Sequence, residues 1–486
     1  MITYPKVVLT IGATNITFTK GEILSAKLLE EINPLSIELT YNVLEFTVQS
    51  YNSSFSMFSG NIFSVSSERL PIMAYEIVDD VPTFLGKFYL DSWKNLSDSK
   101  FEFRAIDAIG TLASTKGYPG GFWDTPTTLQ AVLDEVLLPK NVVFTVDDAV
   151  KDTLISGWVP PGDYRSALQQ ICFAAGVMAS CARSEHIVIS ESPVPFVVYS
   201  HKLTAENKLI EQQVELEPLV TKIELVSHNY TQGTELQTIF DKYLEIGSYK
   251  IIFDQPYYSI VIDGPGYTPV LFTFENGDFF VFEDDDYFEI SGEYTFNSNS
   301  VTLEVQSAGQ VTVTGYPWID SKRSYAFTET VVSAYDVENA LVISDATMVN
   351  ENNAQTILDK IRDFYRRRYK QNVQTIASEI TVNEIVISNT LFNKNILASV
   401  RKMNTDLAGG YIQKNELVGI EPVYVLPPSY QTRRPITGIA IAGLDLTYNN
   451  QWRGSTIQTF IRRARTGVAV CGSNLMYNNK WRNYAE

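Results

Sequence analysis

Phe84-Leu-Gly-Lys-Phe-Tyr-Leu90, Asn95-Leu-Ser-Asp-Ser-Lys100 and Phe101-Glu-Phe-Arg-Ala-Ile106 follow in close succession. The first and third are rich in residues that fit a pleated, half-buried surface. The second is polar. A polar run between two such segments reads as a hairpin. The pattern recurs upstream, where Lys6-Val-Val-Leu-Thr-Ile-Gly12 and Asn15-Ile-Thr-Phe-Thr-Lys20 are short and β-rich. From Leu35, apolar residues fall at 35, 37 and 39, then at 44, 46 and 48. Each half has period two, and the slip at Tyr41-Asn42 predicts a turn or bulge. Many short strands with polar turns predict a barrel or sandwich over residues 1–115.

Residues 116–200 change character. Thr125-Pro126 offers an N-cap followed by Pro at N1. Leu129, Val132, Leu133, Val136 and Leu137 then carry the 3.6-residue period of an amphipathic helix, ended by Pro139. A second helix begins after Pro160-Pro161-Gly162 with Asp163 as cap. Ala167, Leu168, Ile171, Cys172 and Ala175 share its face, and Gly176 is placed to stop it. Val177–Arg183 and His186–Ser190 read as strands around a turn at Ser184-Glu185. This is a small α+β unit.

Strands return over 201–330. Val214–Leu219 leads into Lys222–His228, Asn276-Gly277 centres one hairpin, and Ala308-Gly309 joins Val301–Val305 to Val311–Thr314 as another. Residues 331–435 hold a helix over 351–369, with Ala354, Ile357, Leu358, Ile361, Phe364 and Tyr365 as its apolar stripe. Strands near Ile376–Ile380, Glu384–Ile387, Tyr411–Leu417 and Val423–Leu426 follow. Pro427-Pro428 and Arg433-Arg434-Pro435 read as a linker.

The tail, 436–486, contains a repeat. Gly438–Arg453 matches Gly467–Arg482 at an offset of 29 residues, with nine of sixteen positions identical, including Tyr-Asn-Asn-x-Trp-Arg. Each copy reads as a strand, an Asn-Asn turn and a second strand start. A unit this short cannot bury its own core and should pair with its twin or dock on a partner.

Composition narrows the function. The 486 residues allow roughly three domains of about 150 residues each. Hydrophobic residues make up 45%, enough for large cores, whereas charged residues are only 19%. The chain has 38 Lys and Arg against 56 Asp and Glu, a net charge of −18, which excludes nucleic-acid binding through a general basic surface. Cys172, Cys181 and Cys471 form no CxxC pair, and His186, His201 and His228 form no HExxH or HxxxH. No disulfide framework, metal site or cofactor is expected. Met1-Ile2-Thr3-Tyr4-Pro5-Lys6 lacks a basic n-region before an apolar run, and no window approaches about 18 apolar residues. Neither a signal peptide nor membrane insertion is expected.

Four segments carry a family resemblance. Ala105-Ile-Asp-Ala-Ile-Gly-Thr-Leu-Ala113 resembles the exit of a first hub barrel, with Ala-x-Asp followed by Leu five residues on. Asp163-Tyr-Arg-Ser-Ala-Leu-Gln-Gln-Ile-Cys-Phe-Ala-Ala-Gly176, with the hairpin to Ser190, resembles a helical insertion. Val311-Thr-Val-Thr-Gly-Tyr-Pro317 resembles the closing strand of a second barrel. Ala354–Arg368 with Asn404–Gly419 resembles a last domain. In their order these segments are similar to the baseplate hub, or tail hub, proteins of bacteriophage tails and phage-tail-like particles. The match spans roughly residues 1–430; the tail repeat lies outside it.

The resemblance implies a mainly β chain with α+β insertions. Its expected parts are a tail-tube-like β-barrel over 1–115, a two-helix α+β domain over 116–200, a second tube-like barrel over 201–330, a helix-plus-strand domain over 331–435 and the repeat appendage over 436–486. It implies a non-enzymatic structural protein of the virion tail, assembled in the host cytoplasm. A homotrimer, or in second place a hexamer, would join a six-fold tail tube or distal tail protein to a three-fold spike or tip protein. Genomic DNA would pass through its lumen during ejection without specific binding. The reading kept beside it is a carbohydrate-binding tail adhesin or tail-associated hydrolase built on β-modules.

Several clusters carry sharper alternatives. Glu283-Asp284-Asp285-Asp286 with Glu289 reads as a solvated hairpin tip before a Ca²⁺ site, since no glycine-containing loop surrounds it. Arg362, Arg366, Arg367, Arg368 and Lys370 form the dense basic cluster. It is a solvated helix face, an inter-subunit docking patch for a neighbour's carboxylates, or least of all a nucleic-acid contact. Cys172 and Cys181 read as buried inert thiols, and His186 falls on the wrong spacing to activate Cys181 along an extended strand. Nothing singles out one carboxylate pair for glycosidase chemistry. Tyr448, Asn449, Asn450, Trp452 and Arg453, with Tyr477, Asn478, Asn479, Trp481 and Arg482, are candidates for partner docking or self-packing ahead of sugar binding.

Overall fold

Three phenylalanine rings define the first part of the computed structural model. Seven strands precede the first helix: β1 Thr3–Ile11, β2 Thr14–Phe18, β3 Ile23–Glu31, β4 Val43–Gln49, β5 Pro71–Val78, β6 Val81–Ser97 and β7 Lys100–Ile106. Their order in the sheet is β3-β4-β7-β6-β5-β1-β2. β2 and β4 are five steps apart, about 24 Å in a flat sheet at about 4.8 Å per strand. Yet the ring centroids of Phe18 in β2 and Phe46 in β4 lie 6.3 Å apart, and Phe103 in β7 stacks on Phe46 at 5.0 Å. The sheet therefore rolls over one apolar core, to which all seven strands contribute. The structure describes residues 3–11, 14–33, 35, 38–50, 69–192, 199–204, 207–209, 213–264, 294–329, 338–376, 380–389, 395–420, 434–435 and 452–453. The chain divides into two units, Met1–Glu421 and Pro422–Glu486.

The hairpin of β6 and β7 forms with a tighter turn than the polar run suggested, because Ser97 already pairs with Lys100. The period-two run from Leu35 misleads. Leu35 has a left-handed φ of 60°, and among the described residues the strand that follows β3 starts at Val43. Leu35 and Leu39 are buried in two different cores, so their spacing reflects a loop dipping twice into apolar surroundings.

The next elements are α1 Ala108–Leu112, β8 Lys116–Tyr118, β9 Gly121–Thr128, α2 Leu129–Leu137, β10 Phe144–Val146, β11 Leu154–Val159, β12 Gly162–Asp163, α3 Tyr164–Ala175, β13 Val177–Ser180 and β14 Ile187–Glu191. The five apolar residues expected on α2 are all buried. Its N-cap is Thr128 instead of Thr125, since pairing of Thr127 and Thr128 with β11 keeps the chain extended past Pro126. α3 follows its sequence signals. The Asp163 carboxylate accepts from Ser166 N at 2.9 Å, and Gly176 ends the helix at φ 65°. β13 stops at Ser180, three residues short of the expected strand, and Arg183 takes φ 54° in the connection to β14.

Ten strands come next: β15 His201–Leu203, β16 Gln213–Leu216, β17 Lys222–Gln232, β18 Gln237–Leu244, β19 Gly247–Ile252, β20 Tyr257–Asp263, β21 Tyr294–Asn297, β22 Ser300–Val305, β23 Gly309–Thr328 and β24 Ala340–Ile343. β17, β18, β20, β23 and β24 form a five-stranded sheet, and β19, β22 and β21 a three-stranded one. The expected hairpin about Ala308-Gly309 does not form. β22 bonds β19 and β21, whereas β23 bonds β17, β18 and β20. The turn carries the chain from one sheet to the other. Val301, Leu303 and Val305 then share a single core with Val311 and Val313. The Asn276-Gly277 turn and the acidic run Glu283–Asp286 with Glu289 lie outside the described residues.

α4 Ala354–Tyr365, β25 Tyr369–Ile376, β26 Ile385–Asn389, β27 Asn395–Asp406 and β28 Ile412–Ile420 complete this unit. The helix is shorter than the expected 351–369, because Tyr369 already pairs with Gly419 as the start of β25. β27, unforeseen in the sequence, pairs with β3 from Lys402↔Glu31 to Asp406↔Lys27. One thirteen-stranded sheet results, in the order β16-β25-β28-β27-β3-β4-β7-β6-β5-β1-β2, with β26 on β27 and β15 on β26. The expected strand Val423–Leu426 lies outside the described residues. In the second unit, Arg434–Pro435 (β29), expected in a linker, pairs antiparallel with Trp452–Arg453 (β30).

Candidate assembly surfaces

Alternation along a strand decides what the large sheet presents to solvent. The register carries one face across it. Asp406, Lys27, Glu45 and Arg104 stand side by side on β27, β3, β4 and β7. Asn372, Glu416, Lys402 and Glu31 form a second row, and Thr47, Glu102 and Lys94 a third. The charges are paired within the face: Lys94 with Glu102 at 2.7 Å, Lys402 with Glu31 at 2.8 Å and Lys370 with Glu416 at 3.2 Å. Arg104 is bound to Asp91, with Glu45 at 3.9 Å. Such pairs add little stability at a surface. Their effect is a hydrated face on which Lys94, Lys370, Lys402 and Arg104 are each neutralised by a carboxylate.

Asp107 fixes the corner where β7 leaves the rolled sheet. Its carboxylate accepts from Asn42 N at 2.7 Å and, as the N-cap of α1, from Gly110 N at 2.9 Å. The Asn42 side chain accepts from Glu31 N at 3.1 Å, so one polar chain joins the end of β3, the approach to β4 and α1. Burial pushes the Asp107 carboxyl up to about 6, against the pull of its backbone donors and Arg165. This accounts for the Ala-x-Asp pattern of the sequence in physical terms. Across the sheet, Arg183 from the β13–β14 connection makes two 3.1 Å bonds to the Glu30 carboxylate on β3. Glu30 is 1% exposed; burial raises its proton affinity and Arg183 opposes that rise.

A bracket of chain, residues 344–353, joins the α+β elements to the five-stranded sheet. On one side Gln170 Nε2 donates to Asp345 O at 2.8 Å, Asn350 Nδ2 to Ser156 O at 3.0 Å and Asn353 Nδ2 to Ala174 O at 3.1 Å. A Cβ on Gly157 would stand 2.9 Å from Met348 Cα, which is why glycine occupies that point of β11. On the other side His228 N donates to Val349 O at 2.7 Å and Tyr230 Oη to Thr347 O at 3.2 Å.

The basic cluster is engaged within the chain. Arg362 binds Asp359 at 2.8 Å and Asp363 at 3.0 Å, and Arg366 binds Glu329 at 3.2 Å. Both guanidinium groups lie over the Phe327 ring, at 5.4 and 5.6 Å. Arg367 is buried against Phe364, where burial and the nearby Arg401 lower its proton affinity to about 10. Arg368 Nε donates to Glu217 O at 2.8 Å. Lys370 is the residue already placed on the sheet face. Arg362 finds its carboxylates on its own helix, whereas Arg366, Arg368 and Lys370 meet Glu329, Glu217 and Glu416 from segments that no local pattern announces.

No family model matches the chain, and no curated protein matches it. The chain is similar in structure to phage tail proteins. The tail protein from Neisseria meningitidis MC58 superposes with a TM-score of 0.48 at 7% identity, over 85% of this chain and 96% of that one. The prophage MuSo2 43 kDa tail protein from Shewanella oneidensis gives 0.46 at 10% identity, over 85% and 98%. The prophage tail protein gp18 from Listeria monocytogenes EGD-e gives 0.45 at 9% identity, over 86% and 96%.

The remaining candidates are placed as follows. Cys172 and Cys181 are buried free thiols; burial raises Cys172 to about 12 and Cys181 well above the ordinary thiol range. His186 Nε2 lies 3.2 Å from Thr145 Oγ1. Among the described residues no group of His, Cys, Asp and Glu is arranged to hold a metal ion, and no helix is long and apolar enough to cross a membrane. Of the repeat, Trp452 and Arg453 belong to β30. Tyr448, Asn449, Asn450, Tyr477, Asn478, Asn479, Trp481 and Arg482 lie outside the described residues, as does Cys471.

Proposed function

We propose that the chain is a structural, non-enzymatic hub of a phage tail or tail-like particle. As a homotrimer it joins a six-fold tail tube to a three-fold spike or tip, and genomic DNA passes through its lumen. The observation that carries this reading is the single sheet running from the rolled N-terminal strands through β27 and β28 to β25. It presents rows of charged and polar side chains from strands far apart in the sequence, with an apolar row of Leu29, Val43 and Ile106 between two of them. The four segments that resemble hub proteins add to it: they contain Asp107, all of α3, part of the first half of β23, and α4 with the end of β27 and most of β28.

The polar face suits a channel wall. Lys94, Lys370, Lys402 and Arg104 on it are held by carboxylates, and the whole chain carries −18, so a polyanion is weakly retained. A ring needs a head-to-tail contact that closes. Arg366, with its side chain 49% exposed, is the member of the basic cluster best placed to reach a neighbouring copy's carboxylate. The Tyr-Asn-Asn-x-Trp-Arg copies serve as a docking appendage for an adjoining tail protein.

Light scattering on the full chain over a tenfold range of concentration tests the assembly. A stable species of three chain masses is expected. Six chain masses would replace the trimer by a hexameric ring. A persistent monomer whose melting temperature rises with added glycan would replace the hub by an adhesin, since a ligand that binds only the folded state stabilises it by RT ln(1 + [L]/Kd).

A further inference from the structure

His228 is 2% exposed, and both of its ring nitrogens face acceptors. Nδ1 lies 2.8 Å from Asp320 Oδ2 on β23, and Nε2 lies 2.9 Å from the Ser344 carbonyl at the start of the bracket. A carbonyl oxygen only accepts, so Nε2 must carry a hydrogen. The Nδ1–Asp320 contact needs another. Imidazolium beside carboxylate satisfies both, and so does a neutral ring beside a protonated acid. The two descriptions hold the same number of protons. Removing one leaves a single N–H for two acceptors, and burial keeps water from filling the gap at low cost.

We propose that His228 is a proton-dependent latch that holds the bracket 344–353 on the five-stranded sheet and opens as pH rises. The ionisable groups around it are Asp320 and Lys322 on β23, Tyr230 on its own strand and Asp345 in the bracket. Lys322 Nζ is 3.9 Å from Asp320 Oδ2, too far to replace the ring as its donor. Tyr230 is committed to Thr347 O. The Asp345 carboxylate accepts from Ser344 N, which holds Ser344 in place without supplying a donor to its carbonyl. The ring Nε2–H is therefore the donor that holds Ser344 O. The same bracket binds Ser156, Gln170 and Ala174 of the α+β elements, so its release loosens their attachment to the sheet. This inference does not depend on the hub reading.

Hydrogen exchange of the full chain, read by mass spectrometry and corrected for intrinsic rates, tests it. Between about pH 6 and about pH 9, amides of 344–349 should lose protection, by up to about tenfold per pH unit where one proton is released. Strand β4 should not change. In Asp320→Asn the amide can donate to Nδ1 while Nε2–H still serves Ser344, so the latch stays closed and the pH dependence disappears. In His228→Gln a single donor group remains, and 344–349 should exchange fast at both pH values. If wild type shows no loss of protection, or if Asp320→Asn retains the wild-type pH ratio, the latch is wrong. Should His228→Gln fail to fold, the comparison of wild type with Asp320→Asn decides alone.

Discussion

Phenylalanines do different work in two regions of this chain. In the rolled sheet, Phe18, Phe46 and Phe103 pack on one another and on aliphatic side chains in a dry core. Around α4, Phe327 lies under Arg362 and Arg366, and Phe364 under Arg367 and Arg401. The first arrangement gains from removing apolar area from water. The second exchanges part of that gain for cation–π contacts, about 0.5–1 kcal/mol each where exposed, and leaves charge at the rim. A core sets whether the chain folds, whereas a charged aromatic rim can change partners. Phe46→Ala tests the first half of the contrast. Phe46 is 1% exposed and joins strands five steps apart. Its truncation should cost about 3–5 kcal/mol, seen as a large fall in the urea midpoint with far-UV circular dichroism as the probe.

Asp107 lies between these extremes, a charge at the edge of the dry core. Its carboxyl is pushed up from 3.8 to about 6 by burial. A group whose folded value is raised favours the fold below its unfolded value and loses that contribution as pH rises to the folded value. Wild-type stability should therefore fall relative to Asp107→Asn between about pH 4 and about pH 6, by about 3 kcal/mol, and then level off. Urea unfolding of both proteins at several pH values measures the difference. A difference independent of pH would mean that Asp107 ionises as easily in the fold as outside it.

Such contrasts were only partly legible in the sequence. The caps of α3 and the apolar face of α2 could be read because each signal lies within a few residues of its effect. β27 could not. Its buried residues Ile396, Ala398 and Val400 give way to Met403 across a register shift between Val400 and Lys402, so the period breaks in mid-strand. The charge rows were invisible for another reason. Lys402 meets Glu31 only once β27 has paired with β3, and no local pattern encodes that meeting. The misplaced hairpin about Ala308-Gly309 shows that two alternating strands joined by a turn can pack face to face as readily as edge to edge. The basic cluster at and after α4 was plain in the sequence, but Glu329 and Glu217 could not be assigned to Arg366 and Arg368, nor Glu416 to Lys370.

The smallest expected effect on folding is also the one that most sharpens the comparison. Arg366 meets Glu329 at 3.2 Å with a side chain 49% exposed, and its guanidinium lies 5.6 Å from the Phe327 centroid. An exposed pair of this kind contributes about 0–1 kcal/mol, so Arg366→Ala should lower the melting temperature little. If the rim docks on a neighbouring copy, the same change should shift native mass toward smaller species at low protein concentration. Added salt should weaken the wild-type assembly in the same direction, since exposed charges are screened over about 8–10 Å at ordinary ionic strength. Glu329→Ala separates the two roles. It removes the intramolecular partner and leaves Arg366 free to meet a neighbour, so it should preserve assembly. Equal loss of assembly in both variants would place the pair's value inside one chain, and no loss in Arg366→Ala would remove this residue from the proposed contact.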